Sequence, residues 1–250
     1  MPRRLGQHFL QNERTLAHIA KQVEWKGKTV VEIGAGHGEL TRHLANSAKK
    51  VVAIEKDARL CEHLRRNLSS FKNVQIVFGD ALEQDFSKYK YFAGNLPYEI
   101  SSPLLFKVLA TKFEEALFLL QKEFALRLVA TPDSDDWSRL SVMTQARADI
   151  SILGILPPEL FSPPPEVDSA LVLLKRREKP IELNTQLIAF LFQHKNQTAR
   201  NALEHSAKAL GVSKQEARAL AEKLPHSGKK VRELSLEELD EMSRAFSLSR

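Results

Sequence analysis

Thr29-Val30-Val31-Glu32-Ile33-Gly34-Ala35-Gly36-His37-Gly38 is the stretch that decides the fold. Its first half is a short β-branched apolar run that ends in glycines, the pattern of a buried parallel strand. The glycines let the chain turn tightly and bring backbone amides close to a ligand with no Cβ in the way. Glu39-Leu40-Thr41-Arg42-His43-Leu44 then reads as a helix start, which puts a ligand over that helix's N-terminus. A glycine-rich strand-to-helix turn does not by itself separate ligands, because dinucleotide and phosphate sites share it.

Outward from this stretch, Val51-Val52-Ala53-Ile54-Glu55 reads as a second strand with a carboxylate at its end, suited to gripping a ribose diol. Val74-Gln75-Ile76-Val77 leads through Phe78-Gly79 to Asp80, positioned to accept a hydrogen bond from an adenine amine. Upstream, Glu13 to Val23 is amphipathic, with Leu16, Ile19, Ala20 and Val23 on one face of a helix. Strands and helices alternate through about residue 130, which predicts a mostly parallel sheet covered on both faces. Ile150–Leu156 and Ser169–Leu174 are apolar and are expected to pair as an antiparallel addition at the sheet edge. Strand ends bearing glycine, Glu and Asp resemble the S-adenosylmethionine-binding pattern of Rossmann-like methyltransferases. The alternative is NAD, whose fingerprint also wants an acidic residue at the second strand's end. However, this loop is G-x-G-x-G rather than G-x-G-x-x-G, and hydride transfer has no role for the Asn95-Leu96-Pro97-Tyr98 tetrapeptide downstream of Asp80.

That tetrapeptide comes directly after the strand-like Tyr91-Phe92-Ala93-Gly94. An adenine amine is a poor nucleophile, because its lone pair is delocalised into the ring. Attack on a sulfonium methyl makes that nitrogen more tetrahedral and builds positive charge on it. Acceptors aimed at the amine stabilise this charge in the transition state. The Asn95 side-chain oxygen and a backbone carbonyl beside Pro97, that of Leu96, are such acceptors. Proline biases the residue before it toward an extended conformation, which helps turn the carbonyl toward a pocket. Tyr98 offers a face for a flipped base, fixing the approach angle. No strong general base is needed, since the product ammonium is acidic and loses its proton to water. The competing reading is a Pro-containing turn with a buried Tyr.

With these motifs the chain resembles the ribosomal RNA adenine dimethyltransferase family, and particularly its small-subunit branch. Gly6-Gln7-His8-Phe9-Leu10 is similar to the family segment that closes over the donor, and Glu32–Gly38 to its first motif, with Ala35 where proline is more usual. Asn95–Pro103 matches the catalytic motif, and Gln121-Lys122-Glu123, Arg127-Leu128, Ser138–Val142 and Phe161–Ser169 continue the likeness, which covers residues 3–177. The resemblance implies S-adenosylmethionine contacts at His8, Leu10, Gly34, Gly36, Gly38, Glu55, Lys56, Asp80, Ala81 and Asn95. It implies a catalytic set of Asn95, Leu96, Pro97, Tyr98 and Phe161. Pro163-Pro164-Pro165 stiffens an extended segment, so Phe161 is presented at little entropic cost to sandwich the target base with Tyr98. The alternatives for Phe161 are a cap on the core beside a rigid loop, or part of a Pro-rich ligand for another domain.

The expected fold class is α/β: a Rossmann-like methyltransferase with a mostly parallel seven-stranded sheet, an antiparallel edge strand and a small all-helical C-terminal domain. Lys175-Arg176-Arg177-Glu178-Lys179-Pro180 is charged and ends in proline. It sets the expected boundary between a methyltransferase domain over residues 1–179 and a helical RNA-docking domain over residues 180–250. In the latter, helices are expected around Leu187–Gln193, Ala199–Leu210, Lys214–Leu224 and Leu236–Phe246. Ser213 with Glu216 and Ser235 with Glu238 fit capping boxes.

Composition sets outer limits. Of 250 residues, 43% are hydrophobic, enough for a full core. Lys and Arg number 37 against 31 Asp and Glu, and the net charge of +6 favours a polyanionic partner or an acidic membrane surface. Candidate RNA contacts are Arg3, Arg4, Lys175 to Arg177, His194, Lys195, Arg200, Lys229, Lys230 and Arg232, although each cluster also reads as a solvated face. Asn196 stands where the family commonly has a cation. No apolar stretch is long enough to span a bilayer and no signal-peptide pattern is visible. A single cysteine, Cys61, fits a reducing cytoplasm. No Cys or His cluster has metal-ligand spacing, so no metal is expected.

The leading expectation is therefore an enzyme placing two methyls on each of two adjacent adenosines near the 3′ end of small-subunit rRNA. It would be a cytoplasmic monomer acting on an immature small subunit. The alternatives are the same chemistry on large-subunit rRNA or DNA, and a binder acting in ribosome assembly or transcription.

Overall fold

A computed structural model describes residues 8–248; Arg3, Arg4, Gly6 and Gln7 lie outside them. In chain order the elements begin with β1 (Phe9–Leu10), α1 (Glu13–Ala20), β2 (Thr29–Ile33), α2 (Glu39–Ala45), β3 (Lys50–Glu55) and α3 (Ala58–Asn67). They continue with β4 (Val74–Phe78), β5 (Tyr91–Asn95), α4 (Ser101–Leu109), β6 (Glu115–Gln121), α5 (Lys122–Leu128) and α6 (Arg139–Gln145). Next are β7 (Ala148–Leu156), β8 (Phe161–Ser162) and β9 (Ser169–Arg176). The last are α7 (Thr185–Gln193), α8 (Ala199–His205), α9 (Ala207–Leu210), α10 (Lys214–Glu222) and α11 (Leu236–Leu248).

The chain forms two compact units, one of residues 1–125 with 149–176 and one of residues 126–148 with 177–250. The first holds a seven-stranded sheet in the order β4-β3-β2-β5-β6-β9-β7. β2 pairs in parallel with β3 and β5, and β3–β4 and β5–β6 are also parallel. β9 runs antiparallel to β6, with Gln121 opposite Ser169, and lies between β6 and β7. This is the expected Rossmann-like sheet.

The order explains where a ligand goes. From β2 the chain moves outward to β3 and β4, then returns to β5 on β2's other side. The crevice at such a reversal, at the carboxyl ends of the strands, is where open α/β sheets bind ligands. Ile33 and Asn95 end the two flanking strands. They approach so closely that a Cβ on Gly94 would sit 2.4 Å from the Ile33 carbonyl oxygen, so glycine is required there. Asn12 caps α1 by accepting from the Thr15 amide at 3.0 Å, and α1 packs Leu16 and Ile19 into a core with Trp25, Val30, Leu44 and Val51. The helix stops at Ala20, short of the expected Val23, and the Trp25 indole donates to the Ala20 carbonyl at 2.8 Å.

The second unit is helical. Leu187, Leu191, Leu203, Ala217, Leu239 and Phe246 share its core with Trp137, Val142 and Ala146. Those last three explain why the division is not a single cut after Lys179. Ala130, Trp137, Val142 and Ala146 of residues 126–148 are buried among the C-terminal helices. Both expected capping boxes form, Ser213 with Glu216 and Ser235 with Glu238. The expected helix over Ala199–Leu210 is broken at Ser206, whose amide bonds back to Ala202 and Leu203 and closes α8 before α9 begins.

Candidate active site

A cleft opens at the strand ends of the first unit. The end of β2 lines it with Ile33, Gly34 and Gly36, that of β3 with Glu55 and Lys56, and that of β4 with Gly79, Asp80 and Ala81. Asn95, Leu96, Pro97, Tyr98 and Ile100 come from β5 and the turn after it, and His8 and Phe9 from the N-terminal segment. The sequence-predicted residues therefore converge, with three exceptions. Leu10 is buried in the core and lines a neighbouring cavity with Glu32, Gly34, Ala35, Gly36, Glu39 and Asn95. Gly38 caps α2 in a left-handed conformation, where an added Cβ would strike Leu64, and does not line the cleft.

The third exception is a correction. Phe161 is only 4% exposed and packs in the core with Leu10, Leu16 and Ile19, outside the cleft. β8 pairs antiparallel with β1, setting Leu10 opposite Phe161 and Phe9 opposite Ser162. The stiff segment presents Phe161 inward, because a strand partner from the far end of the chain covers it.

The carboxylates are held by backbone amides. Glu55 is buried; its Oε1 accepts from the Lys56 and Asp57 amides at 2.9 Å each, and its Oε2 from the Gly36 amide at 3.0 Å. A carboxylate has roughly four lone-pair sites; these three bonds fill both on Oε1 and leave one on Oε2 for a ribose hydroxyl. Asp80 Oδ1 accepts from the Leu82 amide at 2.8 Å, which orients the group. At Gly36, φ is +58° and a Cβ would lie 2.9 Å from the Phe9 ring, so the turn needs glycine and Phe9 closes over it.

Asn95 has its amide direction fixed. Its Nδ2 donates to the His8 carbonyl at 2.6 Å. A carbonyl only accepts, so the nitrogen faces His8 and Oδ1 remains an acceptor. Of the carbonyls beside the proline, that of Pro97 is taken by the Ile100 amide at 3.1 Å and the Ser101 hydroxyl at 3.0 Å. The Leu96 amide is held by the Leu119 carbonyl at 3.1 Å. The Tyr98 hydroxyl bonds to the buried Ser169 Oγ at 3.0 Å, and burial pushes the phenol's pKa up.

Two residues that the sequence motifs did not assign to the site belong to its surroundings. Phe9 comes directly after His8, and that adjacency was the available signal. Glu32, an acid inside an apolar strand, is 1% exposed, and its Oε2 has no hydrogen-bond partner among the described residues. Burial raises its pKa to about 8, Glu39 and Glu55 push the same way, and the Thr41 hydroxyl opposes them. A donor carrying an adenosine and a cationic amino-acid end fits this set. Acceptors stand at the ends of β3 and β4, the turn is bare at Gly34 and Gly36, and an orphaned buried carboxyl oxygen borders the adjoining cavity.

Several nominated RNA-contacting cations are engaged within their own units. Lys175 pairs with Glu115 at 3.5 Å, Lys229 with Glu238 at 2.7 Å and Arg232 with Asp133 at 2.9 Å. Lys195 Nζ donates to the Asp135 carbonyl at 2.7 Å. Among the described residues no group of His, Cys, Asp and Glu is arranged to hold a metal, and no helix is long and apolar enough to cross a membrane.

The profile of a family described as Ribosomal RNA adenine dimethylase matches residues 2–238. A relative from Pyrococcus abyssi, a probable ribosomal RNA small subunit methyltransferase A, is 42% identical over 241 residues, spanning 96% of this chain and 89% of its own length. A dimethyladenosine transferase from Plasmodium falciparum superposes with a TM-score of 0.83 at 29% identity, over 96% of this chain and 98% of that one. The 23S rRNA methyltransferase ErmE gives 0.73 at 27% identity, over 96% and 99%. The match along nearly the whole sequence, on this sheet and its strand-end cleft, places the chain in the ribosomal RNA adenine dimethylase family.

Proposed function

We propose that this chain dimethylates the exocyclic amines of two adjacent adenosines near the 3′ end of small-subunit rRNA, within an immature ribosomal particle. The observation that carries the reading is the fixed Asn95 amide. With Nδ2 spent on His8, Oδ1 is left as acceptor at the mouth of a strand-end cleft lined by Glu55 and Asp80. The relative's description as a small-subunit enzyme favours that substrate over the large subunit.

Bound S-adenosylmethionine supplies an electrophilic methyl group on a sulfonium. Glu55 accepts from the ribose diol on the Oε2 lone pair its backbone bonds leave open, and Asp80 accepts from the donor's adenine amine, with Lys56 and Ala81 beside them. His8 and the glycines at 34 and 36 line the rest of the pocket. The target base stacks on Tyr98. Its amine donates to Asn95 Oδ1 and to the Leu96 carbonyl, the one beside Pro97 not already occupied by Ile100 and Ser101. These oxygens stabilise the charge that grows on nitrogen as it attacks. The product ammonium then loses its proton to water.

The helical unit supplies docking to the particle, and the enzyme works as a cytoplasmic monomer. The test incubates the protein with labelled donor and, separately, unmethylated small subunits, large subunits, naked rRNA and DNA. Label at adjacent adenosines of the small subunit is the expected result. Label confined to large subunits would overturn the substrate, and no label anywhere would leave a binder.

A further inference from the structure

We infer that the loop of residues 131–137 is a displaceable stand-in for RNA backbone. In the free chain its carboxylates and carbonyls occupy Lys195 and Arg232, which receive substrate phosphates once the loop lifts. This rests on the docking role of the helical unit and goes beyond it. The loop, Thr131-Pro132-Asp133-Ser134-Asp135-Asp136-Trp137, lies between α5 and α6 and carries three carboxylates.

The two cations stand on a paired ribbon. The Ala199 and Val231 amides donate to the Lys229 and Gln197 carbonyls at 2.9 Å each, and the Arg232 amide to the Lys195 carbonyl at 2.9 Å. Thr198 bridges antiparallel to Lys230 between them. Segments 195–199 and 229–232 thus lie side by side and bring Lys195, Lys230 and Arg232 onto one piece of backbone. The loop docks at its end, with the Asp133 amide donating to the Arg232 carbonyl at 2.7 Å. Arg232 Nε donates to Asp133 Oδ1 at 2.9 Å and Nη2 to the Asp133 carbonyl at 2.6 Å, and a carboxylate oxygen of Asp135 lies 3.7 Å from Nη2. Lys195 Nζ donates to the Asp135 carbonyl at 2.7 Å and to that of Trp137 at 3.4 Å.

These contacts are ones that a phosphate can take over. A guanidinium fork accommodates carboxylate and phosphate oxygens alike. In the loop, one of the two oxygens on the Arg232 fork is a neutral carbonyl, and so are both acceptors of Lys195. A phosphate offers each cation a charged oxygen, and such bonds are roughly twice as strong as neutral ones. The loop is also lightly held. Ala130 and Trp137 are buried at its two ends, whereas residues 131–136 are exposed apart from the half-buried Ser134. Asp133 sits at φ +66°, a conformation Asp tolerates better than most residues but still at some cost. A segment with little apolar burial and exposed polar contacts opens locally far more readily than the core. Anchored at both ends, it lifts as a flap while the helical core stays folded. The docking face therefore stays self-neutralised until a dense polyanion displaces the loop.

The test measures binding of the full chain to unmethylated small-subunit particles and to a short RNA duplex of unrelated sequence, at low and physiological salt. The proteins are wild type, Asp133→Asn, Asp135→Asn, the double variant, Asp136→Asn, and Arg232→Ala with and without the double change. Asparagine keeps the side-chain shape and also tolerates the left-handed backbone at 133, so the loop stays folded. At low salt the double variant should bind both RNAs about fivefold tighter, the size of effect that exposed ion pairs produce. Asp135→Asn alone, at a fully exposed side chain, should gain about twofold. Asp136, whose carboxylate is in none of these contacts, is the control for charge alone and should change binding less than either. The gain should vanish in the Arg232→Ala background, since both changes act on one contact. Hydrogen exchange at the loop amides, that of Asp133 above all, should speed up when RNA binds. Unchanged or weaker binding by the double variant would overturn the inference, as would an equal gain from Asp136→Asn or one that survives Arg232→Ala. So would slower exchange in the loop with RNA bound, because the loop would then be part of the interface. A wild type that methylates no particle would remove the functional reading, and the duplex would still test the loop. An active wild type whose loop variants bind both RNAs as before removes this inference alone.

Discussion

The strand-end cleft and the helical unit use polar residues in opposite ways. In the cleft, each acidic or amide side chain is oriented by backbone groups on one side and leaves acceptors on the other. Glu55 is set by three amides, Asp80 by one and Asn95 by a carbonyl. In the helical unit, cations meet carboxylates or carbonyls of the same unit, as Lys229 does Glu238, Arg232 does Asp133 and Lys195 does the Asp135 carbonyl. Backbone-set acceptors are preorganised for a ligand and cost little reorganisation when charge develops. Exposed pairs of opposite charge are worth at most about 1 kcal/mol and are screened by salt. In the proposed reading the cleft carries the chemistry, while these three cations of the helical unit already have partners within it.

The largest expected effect breaks the first half of that contrast. Asn95→Ala removes the oriented acceptor, and kcat should fall about 10²- to 10³-fold, as for loss of one oxyanion-type donor. Donor affinity should stay within a few-fold by calorimetry. Near-normal turnover would remove Asn95 from the amine site. Gly36→Ala comes next. Its Cβ would meet the Phe9 ring at 2.9 Å in a left-handed turn, and the expected loss of donor affinity is about tenfold, roughly the strain of such a conformation.

These two residues show what was legible in sequence. Gly36, Glu55, Asp80 and Asn95 each stand at a strand end that its own neighbours announce, so alternating runs sufficed to place them on one edge of a parallel sheet. Phe161 was not legible, because the residues that bury it, Leu10, Leu16 and Ile19, lie at the other end of the chain. The same holds for residues 126–148, whose membership of the helical core depends on Trp137, Val142 and Ala146 meeting helices far downstream. Long-range pairing, as between His8 and Pro163, leaves no periodic trace.

Phe161→Leu sharpens the distinction between core and cleft. As a buried, roughly volume-conserving change it should cost up to about 1.5 kcal/mol of stability in denaturant titration, with KM for the particle within about twofold. A tenfold rise in that KM with unchanged stability would return Phe161 to the base site.

Glu32 gives a smaller, pH-dependent effect. Its carboxyl is raised to about 8 by burial, so the folded state holds a proton that the unfolded state has released above its ordinary carboxyl pKa. That contribution to stability is complete below the unfolded pKa and is lost as pH rises through about 8. The donor-free protein should lose thermal stability between about pH 4.5 and about pH 8, and Glu32→Gln should lose less, by several degrees in Tm. Identical pH profiles for the two proteins would place no raised carboxyl at this position.

The smallest expected effect concerns the helical unit. Lys229 is already paired with Glu238, so Lys229→Ala should weaken binding to the small-subunit particle less than about threefold at physiological salt. A tenfold loss, with a shallower salt dependence, would make this cation a phosphate contact and reverse the contrast.

The central claim is that the target amine meets the oxygens of the turn after β5. A crystal or cryo-electron microscopy structure of the chain with S-adenosylhomocysteine and a substrate RNA measures this directly. The flipped adenine's exocyclic nitrogen should lie at about 3 Å from both Asn95 Oδ1 and the Leu96 carbonyl oxygen, on the side facing the sulfur. An adenine bound with its amine turned away from those two oxygens, or held by another part of the chain, would contradict it.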